Sequence, residues 1–311
     1  MTEIQNPPFL QPGDKIGIVA PASVINYNDL KPGISHLKKK WRLQVVEGST
    51  LKSAYNQFSA TDTARIEDIQ NMLDDPSIKA IIAARGGYGC SRIVDQLNFD
   101  RFIASPKWIV GFSDLTVFLS KVYNLGYASV HAPMVKSMML DGAEKAAESL
   151  RQILFGEFPE YGFESHPLNR QGAVTGEIVG GNLCLLAHMI GSPTDIDTTG
   201  KILFIEDVGE YYYNLDRMLI QLKRSGKLSK LAGLVVGQFT DMKDNANPTF
   251  GKNVYEIVLE HVSEYDYPVC FNFPVGHVAD NRAIGVGMSA FLNIQKEKAE
   301  LLFISPATTI I

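Results

Sequence analysis

Lys79-Ala80-Ile81-Ile82-Ala83-Ala84, followed at once by Arg85-Gly86-Gly87-Tyr88-Gly89, is the stretch on which the fold turns. A short apolar run closed by a glycine cluster reads as a buried strand ending in a turn. Just upstream, Ala64, Ile66, Ile69, Met72 and Leu73 fall at helical spacing between Asp62 and Leu73. Further back, Lys15-Ile-Gly-Ile-Val-Ala20 follows the turn signal Pro12-Gly13-Asp14 and stops at Pro21, as a second buried strand would. Downstream, Trp108 to Gly111 reads as a third strand that passes through Phe112-Ser113-Asp114 into a helical segment ending near Asn124, with Gly126 as its stop signal. Strands that alternate with helices pair in parallel, carry the helices on their faces and leave the loops at their carboxyl ends for chemistry.

The remainder is less regular. Asp141 to Pro167 begins helical and turns rich in Gly, Pro and aromatic residues, the composition of a connection. Beyond it lie a glycine-bearing segment from Gly176 to Asn182, a strand-like Lys201 to Ile205, a helical Leu215 to Lys223, an apolar run Leu231 to Val236, and strands around Ala290 to Ile294 and Glu300 to Ile304. The expectation is an α/β amino-terminal domain over residues 1–155, a linker over 156–172 and a smaller, β-rich mixed domain over 173–311.

Composition narrows the function. With 311 residues, 45% of them hydrophobic and 20% charged, the chain has ample material for a core. Its 29 Lys and Arg against 34 Asp and Glu leave a net charge of −5, no field for a phosphate backbone or an anionic membrane. Cys90, Cys184 and Cys270 are widely separated and form no CxxC, so no disulfide framework or zinc site is expected. The opening residues lack a cationic then apolar leader, and no run of about 18 apolar residues occurs; a cytoplasmic location is expected. Gly285-Val-Gly287-Met-Ser-Ala290 meets the dinucleotide spacing, but strand-like residues follow it where a helix is required. No metal or nucleotide motif is present, so no cofactor is expected.

Three segments carry candidate chemistry. Ser113 sits where a strand meets a helix, a geometry that lifts a hydroxyl off the sheet beside the free N–H groups of the first turn. A helix-capping serine is the common local alternative, and Gly111-Phe-Ser113-Asp-Leu115 lacks the second glycine of G-x-S-x-G. Among six histidines, His277 in Pro274-Val-Gly276-His277 lies in a loop and is the best general base. His36 and His261 read as helix-surface residues, His166 as a linker residue, His188 as a packed one, and His131, before Ala132-Pro133, as a neighbour of a site. Glu206 and Asp207 end an apolar strand, and because successive strand residues face opposite ways only one of them can orient a given imidazole. Gly86 and Gly87 can expose backbone N–H groups to an anion.

Together these residues resemble the LD-carboxypeptidase family of serine peptidases. The landmarks are Pro12-Gly13-Asp14 with Val19-Ala20-Pro21-Ala22-Ser23, Ala84-Arg85-Gly86-Gly87-Tyr88-Gly89, Gly111-Phe112-Ser113-Asp114, Gly180-Gly181-Asn182-Leu183, Glu206-Asp207-Val208-Gly209-Glu210 and Pro274-Val275-Gly276-His277, in that order along the chain. The resemblance implies Ser113 as nucleophile, His277 as base and Glu206, rather than Asp207, as the orienting acid. It further implies a Rossmann-like, flavodoxin-like first domain, a homodimer, no cofactor, and a muropeptide tetrapeptide cut before its terminal D-alanine. Backbone N–H groups of Asp114 and of Gly86 or Gly87 are the expected oxyanion donors, and Arg85 is a candidate for a peptide carboxylate. An immunity-type amidase acting on a peptide-nucleotide antibiotic is the alternative within the family. A catalytically silent small-molecule binding protein is the alternative outside it.

Overall fold

The computed structural model describes residues 4–304. The chain forms two compact units: one runs to Glu157 and takes in Ala279–Val286, the other spans Phe158–Val278 and resumes at Gly287.

The first unit follows the alternation read from the sequence. Its elements are β1 (Lys15–Val19), α1 (Lys31–Lys39), β2 (Gln44–Glu47), α2 (Asp62–Asp74), β3 (Ile78–Ala83), α3 (Asp100–Ala104), β4 (Trp108–Gly111), α4 (Thr116–Asn124), β5 (Ser129–His131) and α5 (Glu144–Leu154). All of β4 and all but Lys15 of β1 are buried, which is why these strands read as unbroken apolar runs. Helix α2 starts at Thr61, whose hydroxyl accepts from the Ala64 N–H. Its other end is closed by the buried Lys107, whose Nζ donates to the carbonyls of Met72, Leu73 and Asp75 at 3.0, 2.8 and 2.7 Å.

Strands β2, β1, β3, β4 and β5 lie in that order, all parallel. This is the flavodoxin-like order, whose direction of winding reverses between β1 and β3; ligands of such sheets bind beyond the strand carboxyl ends at that reversal. The loops there are residues 20–24 and 84–89.

The second unit adds β6 (Glu160–Glu164), β7 (Gly172–Asn182), α6 (Leu183–Met189), β8 (Ile202–Val208), α7 (Tyr212–Arg224), β9 (Gly233–Thr240), α8 (Val254–Val262) and β10 (Val269–Cys270). The chain then returns to the first unit as β11 (Ile284–Val286), antiparallel to β5, before β12 (Ser289–Ile294) and β13 (Lys298–Phe303). The second sheet is mixed: β7 to β10 run parallel, while β12, β13 and β6 continue it antiparallel.

Two differences from the expected domain plan have a physical origin. The stretch expected as a linker, 156–172, holds β6, whose Tyr161 is buried opposite Leu301. Residues 279–286, placed by sequence in the second domain, group with the first because β11 bonds to β5. Gly285 lies in that strand and β12 follows it, so the glycine spacing there opens no helix.

Candidate active site

Leaving β4, the chain bends at Phe112 and enters a single turn of 3-10 helix, Ser113–Leu115, that runs into α4. Ser113 has φ of +62°, a left-handed conformation that costs a non-glycine residue on the order of 1 kcal/mol and gathers at functional turns. Phe112, not Ser113, holds the capping position, so the serine is not there to cap the helix. Asp114 is buried, and its Oδ2 accepts the Cys90 N–H at 2.8 Å, tying the serine turn to the end of the 84–89 loop. Burial pushes the Asp114 carboxyl above its usual range, against the pull of the Cys90 hydrogen bonds and the Arg65 charge.

The glycine loop presses against the same turn. A Cβ on Gly86 would stand 3.2 Å from that of Ser113. Gly87, with φ of +114°, leaves only 2.2 Å between such a Cβ and the Ser23 hydroxyl, so no side chain fits there. Ser23 braces the loop: its N–H donates to the Gly86 carbonyl at 3.4 Å and its Oγ accepts from the Tyr88 N–H at 3.2 Å. The N–H groups of Gly86, Gly87 and Asp114 donate to no acceptor among the described residues.

In the second unit, Glu206 and His277 are joined. His277 Nδ1 lies 2.7 Å from Glu206 Oε2, and the glutamate is 0% exposed. The register between β8 and β9 shifts at Glu206, a bulge of the kind that re-aims a side chain next to a site. His277 rides on the segment Phe273 to Gly276, pinned along β9 by Phe273 N–H to Val236 O and Gln238 N–H to Val275 O. Gly276 has φ of +128°, and a Cβ there would lie 3.0 Å from the Glu206 side chain. Glycine at this position is what lets the loop close on the acid.

Asp207 faces the other way. Its carboxylate accepts from Asn182 Nδ2 at 2.8 Å, from the Cys184 N–H at 2.9 Å and from its neighbour's N–H, locking the end of β7 and the start of α6 to β8. Burial and the adjacent Glu206 charge push its carboxyl up to about 6. Burial alone would lower the His277 pKa, but the Glu206 hydrogen bond and charge, with the charges of Asp207 and Asp241, outweigh it and raise the pKa. A hydrogen bond in which Glu206 accepts puts the imidazole proton on Nδ1 and leaves the ring lone pair on Nε2.

The other candidates fall differently. Arg85 is half-buried, with Nη1 on the Val24 carbonyl at 3.1 Å. His131 is buried in β5 with its ring 5.7 Å from that of Phe112. His166 stands edge-on to Tyr255, and His36 edge-on to Trp41. Two readings are corrected. His261 is buried, not on the surface, with Nε2 2.7 Å from Asp216 on α7, and His188 is exposed on α6 rather than packed. Both errors are of helix phase, which depends on what the helix packs against. The sequence reading passed over Arg65, a fully buried guanidinium behind the glycine loop; its signal was its place on the same helix face as Ile69 and Met72. Among the described residues, no group of His, Cys, Asp and Glu could hold a metal ion.

A strained serine where a strand of a parallel sheet meets a helix is one feature found in serine hydrolases, and the imidazole bonded to a buried carboxylate in the second unit is another. The chain belongs to the LD-carboxypeptidase family: residues 16–132 match its N-terminal domain and residues 175–292 its C-terminal domain. It is 35% identical to a probable murein peptide carboxypeptidase of Bacillus subtilis, over 94% of this chain and 93% of that protein. It is 32% identical to a murein tetrapeptide carboxypeptidase of Pseudomonas aeruginosa, over 91% and 94%. The crystal structure of a muramoyltetrapeptide carboxypeptidase from Oxalobacter formigenes superposes with a TM-score of 0.84 at 31% identity, covering 94% of this chain and 99% of that one. The microcin C7 self-immunity protein MccF shares the fold, with a TM-score of 0.84 at 21% identity over 95% and 98% of the two chains.

Proposed function

We propose that this protein is a serine LD-carboxypeptidase that hydrolyses the amide between an L-centred diamino acid and the terminal D-alanine of a muropeptide tetrapeptide. The observation that carries the proposal is the 2.7 Å bond between His277 and the fully buried Glu206, in a chain of this family. His277 takes the Ser113 proton through Nε2 as the hydroxyl attacks the scissile carbonyl, and Glu206 favours the imidazolium that results. The N–H groups of Asp114 and of Gly86 or Gly87 receive the charge that develops on the carbonyl oxygen. His277 then protonates the departing amine of D-alanine, and water, activated by the same base, releases the acyl group from Ser113. Arg85 is assigned to the substrate carboxylate. The proposal extends to a cytoplasmic homodimer; three cysteines with no disulfide support a reducing compartment, and sedimentation measures the oligomer.

The test is release of D-alanine from a tetrapeptide ending in L-diamino acid and D-alanine. Ser113→Ala is expected to lower kcat by roughly 10⁶ with the fold retained. Undiminished turnover by this variant refutes the nucleophile. No turnover by wild type, with saturable binding of the peptide, returns the silent binding protein, and preferential cleavage of a peptidyl nucleotide returns the immunity-type amidase.

A further inference from the structure

Arg65 lies in the first turn of α2 on its apolar face, 0% exposed. Burying a guanidinium costs several kcal/mol unless its donors are met, and an apolar residue of like volume often serves stability as well or better. Here the donors are only partly met: Nε is buried without an acceptor among the described residues. What the other nitrogens touch is informative. Nη2 pairs with Asp62 one turn earlier at 2.5 Å, while Nη1 donates both to the Pro21 carbonyl and, at 3.1 Å, to that of Gly89. The guanidinium carbon sits 4.8 Å from the centre of the Phe58 ring.

Pro21 opens the loop after β1 and Gly89 closes the loop after β3, the two loops that flank the winding reversal of the first sheet. One nitrogen therefore holds both loops together. Beside it, Cys90 donates to Asp114, and the Arg65 charge favours the ionised Asp114 that accepts this bond. The guanidinium thus holds the Gly89 end of the glycine loop from behind, and the next residue, Cys90, carries the hydrogen bond to Asp114 in the serine turn.

We propose that Arg65 is a positioning residue for the oxyanion donors: by clamping Pro21 and Gly89 to α2 it fixes the Gly86 and Gly87 N–H groups against the Ser113 turn. This rests on the serine-peptidase reading above. Because negative charge collects on the carbonyl oxygen only as the tetrahedral species forms, a loosened loop penalises the transition state and leaves ground-state binding largely intact. A planar fork is needed to reach two carbonyls and a carboxylate at once, so lysine substitutes incompletely. Asp62 keeps its bonds to Arg92 when Arg65 is removed, so no orphaned carboxylate confuses the result.

The experiment compares wild type, Arg65→Lys and Arg65→Met on the tetrapeptide and on a peptide boronate that forms a tetrahedral adduct with a serine. Arg65→Met is expected to lower kcat by about 10²-fold with KM changed by less than about threefold, and to weaken the boronate in proportion to kcat, with Arg65→Lys between. If Arg65→Met does not fold, Arg65→Lys carries the same comparison. Retained kcat with only a lowered melting temperature overturns the proposal, as does a loss that falls on KM alone. If wild type does not cleave the tetrapeptide, the substrate assignment fails separately, and the rate of Ser113 labelling by a fluorophosphonate then reads Arg65: a slowed rate in Arg65→Met upholds the clamp and an unchanged rate overturns it.

Discussion

Glu206→Gln perturbs one group at the centre of the proposed chemistry, and its effect can be worked from the geometry. Glu206 Oε2 lies 2.7 Å from His277 Nδ1. Charges about 4 Å apart at an effective dielectric of about 20 attract by about 4 kcal/mol. The glutamine amide keeps a neutral hydrogen bond worth about 1 kcal/mol, so about 3 kcal/mol of preference for the imidazolium disappears and the His277 pKa falls. The sign follows from the wild-type state: His277 is held above its usual value, so the variant's imidazole becomes the weaker base and the acid limb of kcat/KM against pH moves to lower pH. Turnover on the plateau falls as well, by about 10⁴-fold when the amide imposes the wrong tautomer. The assay is D-alanine release between about pH 4 and pH 9, paired with NMR titration of the His277 ring, which needs no activity. An acid limb and a ring titration that both stay where wild type has them would refute the coupling.

Asp207→Asn tests the second acid through stability: its folded pKa of about 6 lies above 3.8, so its protonation stabilises the fold at low pH and that contribution is lost as pH rises through about 4 to 6. Wild type should lose about 3 kcal/mol relative to the variant across that window in urea titrations, and parallel profiles would count against a buried, raised carboxyl. Gly87→Ala forces a Cβ to within 2.2 Å of the Ser23 hydroxyl at φ of +114°, and should cost about 2 to 4 kcal/mol and most activity; unchanged denaturant midpoint and turnover would contradict the loop geometry. Lys107→Met removes three bonds to carbonyls at the end of α2, an expected loss of about 3 kcal/mol at pH 7. Burial lowers the lysine to about 8, so wild type should gain on this variant as pH rises from about 8 to 10.5, and a constant difference would argue against the buried ammonium.

The chain alone determined a good deal. Buried parallel strands are apolar on both faces, so β1, β3 and β4 stood out as runs, and the period of α2 was plain because its outer face is polar. As candidates, Ser113 stands out at a strand end and His277 in a glycine-flanked loop, and Glu206 and Asp207 stand out as a pair at another strand end, of which the family resemblance implies the first. Less was legible where local propensity and tertiary contact disagree. Helix α1 went unread because Pro32 and Gly33 mimic a turn; the proline suits a first helical turn, and Gly33 is there because a Cβ would meet the Val135 carbonyl at 2.4 Å.

What tertiary structure alone decided is which remote groups meet. The alternation of strand residues separates Glu206 from Asp207, but only the bulge opposite β9 and the close approach of Gly276 turn the first toward His277 and leave the second to Asn182. Likewise β11 joins the first sheet, and Arg65 finds Pro21 and Gly89, through contacts between residues far apart in sequence. Such contacts leave no periodic mark on the chain, because each is set by how packed elements fill space rather than by the residues next to it.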